Sequence, residues 1–87
     1  MKYTEMKHIT LVNEHYNGNV VSTLEFSFRE VQGEYKVYRK ETYCNKLSNT
    51  HNKPKYTFFR KFDPNDMDNF IDDSLHLFKM VGYKVQE

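Results

Sequence analysis

The sequence contains no alanine and no tryptophan, and it has only one cysteine, two prolines and three glycines. The single cysteine, Cys44, excludes a disulfide bond within the chain. No apolar run approaches the roughly 20 residues of a membrane span, and the first seven residues lack the apolar core of a secretory signal. These absences lead us to expect a cytoplasmic protein that does not bind a membrane.

Aromatic residues are abundant: seven Phe and seven Tyr make up 16% of the chain and must supply much of its core. Eighty-seven residues predict a single domain, 1–87, with a small core that a homodimer would enlarge. Lysine outnumbers arginine ten to three, and asparagine is common. This composition is typical of small proteins from phages and mobile elements of low-GC bacteria.

Positive charge is concentrated in the middle of the chain. Residues 36–61 contain eight bases against one acid, a net charge of +7, whereas residues 1–35 carry −2 and residues 62–87 carry −4. The formal net charge of +1 therefore conceals a strong internal separation of charge. The bases of the middle segment are interleaved with five aromatic residues: Tyr38, Tyr43, Tyr56, Phe58 and Phe59. This segment is the strongest indication of function in the sequence.

Four segments show the alternation of apolar and polar residues that is typical of β-strands. The clearest is 20–31, where Leu24, Phe26 and Phe28 alternate with polar residues, so that one face of the strand is apolar. The other three predicted strands are 7–16, 34–44 and 55–62.

Turn signals separate these strands. Asn17-Gly18 and Gln32-Gly33 predict tight turns, because Asn and Gly accept a positive φ. Residues 45–54 are polar, rich in Asn and Lys, and include Pro54, so we expect a mobile loop there.

The last third of the chain predicts one helix. Asp63 is a good N-cap, Pro64 fits the first helical position, and Gly82 is placed to end the helix. Between them, apolar residues at steps of three and four form one stripe: Met67, Phe70, Ile71, Leu75, Phe78 and Val81. The predicted fold class is α+β, a four-stranded antiparallel β-meander with one C-terminal helix packed on one face (ββββα).

A single helix covers only one face of such a sheet, so the other face is left open. The residues expected to pack under the helix are Leu24, Phe26, Phe28, Tyr35, Val37, Tyr56, Phe58 and Phe62. The open face and the neighbouring loop supply the candidate residues for binding a partner or nucleic acid: Lys36, Tyr38, Lys40, Lys46, Lys53, Lys55, Phe59 and Lys61.

These residues fit two interpretations. Lysines can neutralise phosphates and aromatic rings can stack on unpaired bases, so the face could bind single-stranded DNA or RNA, with Tyr38 and Phe59 as the stacking pair. The order of strands and helix is similar to that of a family of single-strand-binding transcriptional coactivators, a similarity of topology. Against this, the isoelectric point of about 7.8 is lower than that of most nucleic-acid-binding domains. A solvated face or a protein interface is the competing interpretation.

The predicted helix is acidic on the side away from its apolar stripe. Its candidate acidic partner-binding face consists of Asp66, Asp68, Asp72 and Asp73. Such a surface could engage a basic protein, as some phage inhibitors do, and the chain resembles anti-CRISPR proteins in size and composition. A solvated helix whose first-turn acids favour the helix dipole explains the same residues.

No catalytic, metal or cofactor motif is apparent. The four histidines are scattered, and none has a zinc spacing to Cys44. A nucleophilic pair of Cys44 and His51 has no supporting sequence context, and Asp68 with Asp72 is too small a set for Mg²⁺. We therefore predict no enzymatic activity, no metal and no cofactor.

The favoured hypothesis is a small binding protein from a phage or mobile element that inhibits or modulates a larger protein, one that could process nucleic acid. It uses both the basic centre and the acidic helix, and it does not need a high isoelectric point. The alternative hypothesis is direct binding of single-stranded DNA or RNA through the basic aromatic face.

Overall fold

Three long antiparallel strands form the centre of the protein in a computed structural model that describes residues 2–86. The sheet order is β4-β3-β2-β1-β6, and β5 pairs with the edge of β3 that also holds β4. The strands are β1 (Thr4–His15), β2 (Val20–Val31), β3 (Glu34–Asn45), β4 (Thr50–His51), β5 (Thr57–Lys61) and β6 (Lys84–Val85). The antiparallel α+β class with a C-terminal helix is confirmed, but the predicted number of four strands is wrong. The two additional strands, β4 and β6, are two residues long, too short to show alternation, although from the sequence alone residues 83–87 are open to interpretation as a tail or a short added strand.

The first two turns lie where the Asn-Gly and Gln-Gly pairs predict them. Gln32 and Gly33 both have positive φ, 53° and 81°, the conformation of a two-residue hairpin turn that matches the twist of the flanking strands. The turn between β1 and β2 likewise contains positive φ at Asn17 and Gly18. The Gln32-Gly33 turn sets the register that pairs all 12 residues of β2 with β3, and the Asn17-Gly18 turn closes the pairing of β1 with β2.

The predicted loop 45–54 contains a further hairpin. The side-chain oxygen of Asn45 accepts hydrogen bonds from the backbone N–H groups of Leu47 and Ser48, at 3.0 and 3.2 Å. This closes a turn that leads into β4. The backbone N–H of Lys46 donates to the carbonyl of Asn19 at 2.8 Å, so the two hairpin tips at this end of the sheet are joined.

The helical segment begins and ends as its capping residues predict. Asp63 accepts a hydrogen bond from the backbone N–H of Asn65 at 2.9 Å, and a single 3-10 turn (Pro64–Asp66) leads into helix α1 (Met67–Met80). Gly82, with φ of 101°, then turns the chain back to β6. Among the described residues, no helix has the length and apolar character needed to cross a membrane.

The core lies between α1 and the face of the sheet that it covers, called here the inner face. The ring of Phe28 is packed edge-on against both Phe62 and Phe70, at centroid distances of 5.2 and 5.8 Å. The ring centres of Phe26 and Phe78 lie 5.5 Å apart. The buried residues of this core are Ile9, Leu11, Leu24, Phe26, Phe28, Val37, Phe62 and Ile71.

A β-bulge in β5 changes which aromatic residues face the helix. Phe58 lies opposite Tyr38 and Arg60 opposite Val37, so Phe59 is the extra residue between them. The ring of Phe58 therefore packs edge-on against Tyr38 on the outer face, the face turned away from α1, at 6.0 Å.

The prediction of Phe59 on the outer face is consequently wrong. Its ring lies 5.8 Å from that of Phe26, on the inner face. The predictions of Phe58 and Tyr56 in the core are wrong as well. Tyr56 lies on the outer face, where the ammonium group of Lys40 is 4.8 Å from its ring centre. The physical reason is the bulge, because one inserted residue reverses the alternation on one side of it.

Replacing Phe28 with alanine is expected to lower the free energy of unfolding by about 3–5 kcal/mol, because the cavity would lie at the centre of the core. Phe58→Ala is the matched control. Phe58 is 54% exposed, so its loss should cost about 1 kcal/mol or less. Urea denaturation measures both changes. Equal losses for the two variants would contradict the register of β5, since Phe58 would then belong to the core.

Candidate functional site

The structure divides the predicted basic aromatic set among four places. Lys46 lies in the turn between β3 and β4, and Lys53 and Lys55 lie in the segment that leads from β4 to β5. Phe59 lies on the inner face, as described above. The remaining members share the outer face of β3 and β5: Lys36, Tyr38, Lys40 and Lys61.

Each of the three lysines on the outer face of β3 and β5 is paired with a glutamate. The ammonium group of Lys40 lies 3.1 Å from Glu25, and Lys36 and Lys61 lie 3.2 and 3.5 Å from the two carboxylate oxygens of Glu34. Both glutamates come from the part of the sequence with negative net charge. The outer face is therefore much closer to neutral than the bases of residues 36–61 suggest.

The ion pairs shift the pKa values of Glu34 and Lys40. The hydrogen bond from Lys36, with the charge of Lys61 nearby, lowers the pKa of the Glu34 carboxyl below its ordinary value. The hydrogen bond to Glu25 raises the pKa of Lys40. Both shifts favour the charged forms, so the ion pairs persist through the neutral pH range.

Arg29 is the centre of an aromatic cluster on the outer face. Its guanidinium carbon lies 4.0 Å from the ring centre of Tyr3 and 4.6 Å from those of Tyr38 and Tyr56. A cation held against ring faces at such distances is stabilised by the ring quadrupoles. The three tyrosines thus hold a cation of the chain itself, and burial raises the pKa of the Tyr56 hydroxyl.

Hydrogen bonds connect this cluster to β1. The Nε group of Arg29 donates to the hydroxyl of Ser27 at 2.9 Å, and that hydroxyl donates to the carboxylate of Glu5. His8 lies between two carboxylates, 3.4 Å from Glu5 and 3.1 Å from Glu25. Ser27 is fully buried, so its two bonds satisfy a hydroxyl that water cannot reach.

Sequence reasoning missed this network. The alternation of β2 identified Glu25, Ser27 and Arg29 as outward-facing, but it did not reveal their partners on β1 and β3. The pairing register determines which residues of β1 and β3 become partners. Two further partners, Tyr3 and Tyr56, lie outside the regular strands. The signal available in the sequence was the presence of glutamates at outward positions of β2 and at the start of β3.

The arrangement on the outer face is unlike a stacking platform for bases. Tyr38 is packed between Arg29 and Phe58, and Phe59 lies on the opposite face. The two rings expected to stack on successive bases are therefore not brought together.

A groove of about 330 Å³ lies at the edge of β3, beside the segment that connects β4 to β5. Phe58 and Phe59 contribute to its wall and are 54% and 42% exposed. Lys53 and Lys55 form no ion pair with any described residue, unlike the lysines of the outer face. We call this the edge groove; it is lined by Arg39, Glu41, Asn52, Lys53, Lys55, Thr57, Phe58 and Phe59.

The helix presents acidic and apolar residues to solvent. Asp66 ends the 3-10 turn, where it accepts a hydrogen bond from Asn69 at 2.8 Å. The predicted acidic face is exposed at all four positions: Asp66, Asp68, Asp72 and Asp73. Three apolar residues near the end of the helix are at least 65% exposed: Leu77, Met80 and Val81.

Cys44 and His51 are direct cross-strand partners in the pairing of β3 with β4, and both are exposed. Within residues 2–86, no group of three or more His, Cys, Asp or Glu side chains is placed to hold a metal ion.

The Glu34 pairs predict a pH-dependent contribution to stability. Because the folded-state pKa of Glu34 is lowered, its contribution is present above the unfolded-state pKa of about 4.3 and is lost as the pH falls through the lower folded-state pKa. The difference in unfolding free energy between the wild type and Glu34→Gln should therefore be largest near neutral pH and disappear in strong acid.

Urea denaturation of both proteins at neutral and acidic pH measures this difference. Glu14→Gln is the control, because Glu14 is exposed and forms no ion pair with a described residue. A Glu34→Gln effect that does not vary with pH would rule out the ion pairs as its source.

Comparisons of the chain with known proteins yield no relative: no protein-family model, no curated protein and no solved structure matches it. The residues and their geometry are therefore the basis of the functional proposal that follows.

Proposed function

We propose that this protein is a small binding protein that attaches to a larger protein and inhibits or modulates it. The observation that carries the proposal is the neutralisation of the outer face. Lys36, Lys40 and Lys61 are each within 3.5 Å of a glutamate. A phosphate backbone would have to compete with those carboxylates for each of these three lysines, which reduces the counterion release that drives nucleic-acid binding.

The aromatic residues support the same proposal. The tyrosines of the outer face are occupied by Arg29, and Phe58 and Phe59 point to opposite faces of the sheet. Single-strand binders stack successive bases on rings that share a platform. Exposed rings at an edge, beside unpaired lysines, are better suited to a protein surface, where single aromatic side chains are frequent anchors.

The remaining exposed surfaces carry both signs of charge. The aspartates of α1 would attract a basic region of the target, and Lys53 and Lys55 would attract an acidic one. Surfaces of both signs accelerate association and fix the orientation of a protein partner. A target that itself binds nucleic acid would offer the basic region, and the acidic helix would occupy it.

Affinity capture from a lysate of the source cells tests this proposal, with nuclease treatment and with washes at two salt concentrations. We expect one protein at a near-equimolar ratio that resists nuclease. A test variant carries Asp72→Asn and Asp73→Asn, which removes helix charge while leaving the inner face intact, and it should capture less of that protein. Recovery of nucleic acid without a stoichiometric protein would refute the proposal in favour of single-strand binding, and recovery of neither would refute both.

A further inference from the structure

The edge groove is the most complete unassigned binding surface on the described part of the chain. Its volume of about 330 Å³ lies at the lower end of the range for ligand sites, about 300–1,000 Å³. It combines exposed aromatic surface from Phe58 and Phe59 with two unpaired lysines.

The edge of β3 is already closed by side chains along this groove. The amide group of Asn52 accepts from the backbone N–H of Tyr43 at 2.9 Å and donates to the carbonyl of Glu41 at 2.7 Å. The hydroxyl of Thr57 donates to the carbonyl of Arg39 at 3.4 Å. Addition of a partner's β-strand to this edge would have to break these bonds, so recognition depends on side chains.

Charge indicates the chemistry of the occupant. The lining contains three bases, Arg39, Lys53 and Lys55, and one acid, Glu41. Arg39 and Glu41 pair with each other at 3.1 Å, which leaves Lys53 and Lys55 to meet the ligand. Two available cations match a ligand segment with two carboxylates.

The same lining is poorly suited to a nucleic-acid strand. Phe58 and Phe59 point to opposite faces, so only one of them could stack on a given run of bases. Tracks that hold single strands combine a continuous line of cations with rings on one platform.

We infer that the edge groove receives an acidic segment of the partner protein. Two carboxylates of that segment meet Lys53 and Lys55, and an aromatic or aliphatic side chain between them packs against the exposed part of Phe59, on the same face as Arg39 and Thr57. The inference rests on the proposed function, because it names the surface and the partner chemistry that this function would use.

An NMR titration of the full chain tests the groove directly. The probes are a short synthetic peptide in which two aspartates flank a phenylalanine, the same peptide with asparagines in place of the aspartates, and oligothymidylate of similar length. We expect the acidic peptide to shift amide signals of residues 39–41 and 52–59 and to bind at least about tenfold more tightly than its asparagine counterpart. Shifts confined to other surfaces, equal affinities of the two peptides, or tighter binding of oligothymidylate in the groove would each overturn the inference.

Variants extend the test to the natural partner. Lys53→Glu with Lys55→Glu should abolish peptide binding and capture of the partner. Lys7→Glu with Lys84→Glu, an equal charge change at exposed lysines outside the groove, should preserve both. Thermal unfolding of each variant shows whether the fold is intact.

The two proposals can fail separately. If the wild type captures a stoichiometric protein and the Lys53→Glu, Lys55→Glu variant captures it equally well, the groove inference is wrong and the proposed function stands. If the wild type captures no protein, the proposed function is wrong, and the peptide titration still decides whether the groove recognises acidic segments.

Discussion

One helix can bury only one face of this sheet, and the remaining features of the molecule follow from that constraint. The inner face is closed by rings, with Phe28 packed between Phe62 and Phe70. Within residues 2–86 no layer covers the outer face, and its polar and aromatic residues contact one another. Arg29 is surrounded by tyrosines, and Glu25 and Glu34 bind the lysines. The contacts on the outer face therefore stabilise the fold, whether or not that face binds a partner.

Much of the fold could be predicted from local signals. The alternation in 20–31 and the turn at Gln32-Gly33 predicted β2 and its connection to β3 at the observed residues, and Asp63 and Gly82 predicted the helical segment. The orientation of Phe58 and Phe59 could not be predicted, because a bulge is a property of the pairing of β5 with β3.

The net charge of the outer face could not be predicted from the sequence either, because it too depends on which strands pair. The positive charge of residues 36–61 was apparent along the chain, but charge neutralisation depends on neighbours in space. Glu25 is 15 positions from Lys40 in the sequence and 3.1 Å from it in the structure. The sequence predicted a basic sheet face and an acidic helix. In the structure, the outer face of the sheet is nearly neutral, the edge groove is basic and the helix is acidic. This charge distribution favours the proposal of a protein partner over the proposal of a nucleic acid.

The measurement that tests this account most directly compares the wild type with a Glu25→Gln, Glu34→Gln variant in binding to labelled oligothymidylate at two salt concentrations. If the glutamates neutralise the outer face, the wild type should bind weakly. The variant should bind at least about tenfold more tightly at low salt. Its plot of log binding constant against log salt concentration should also be steeper, by a slope of about 0.7 for each freed lysine that contacts a phosphate. Tight, strongly salt-dependent binding by the wild type, unchanged in the variant, would contradict the account.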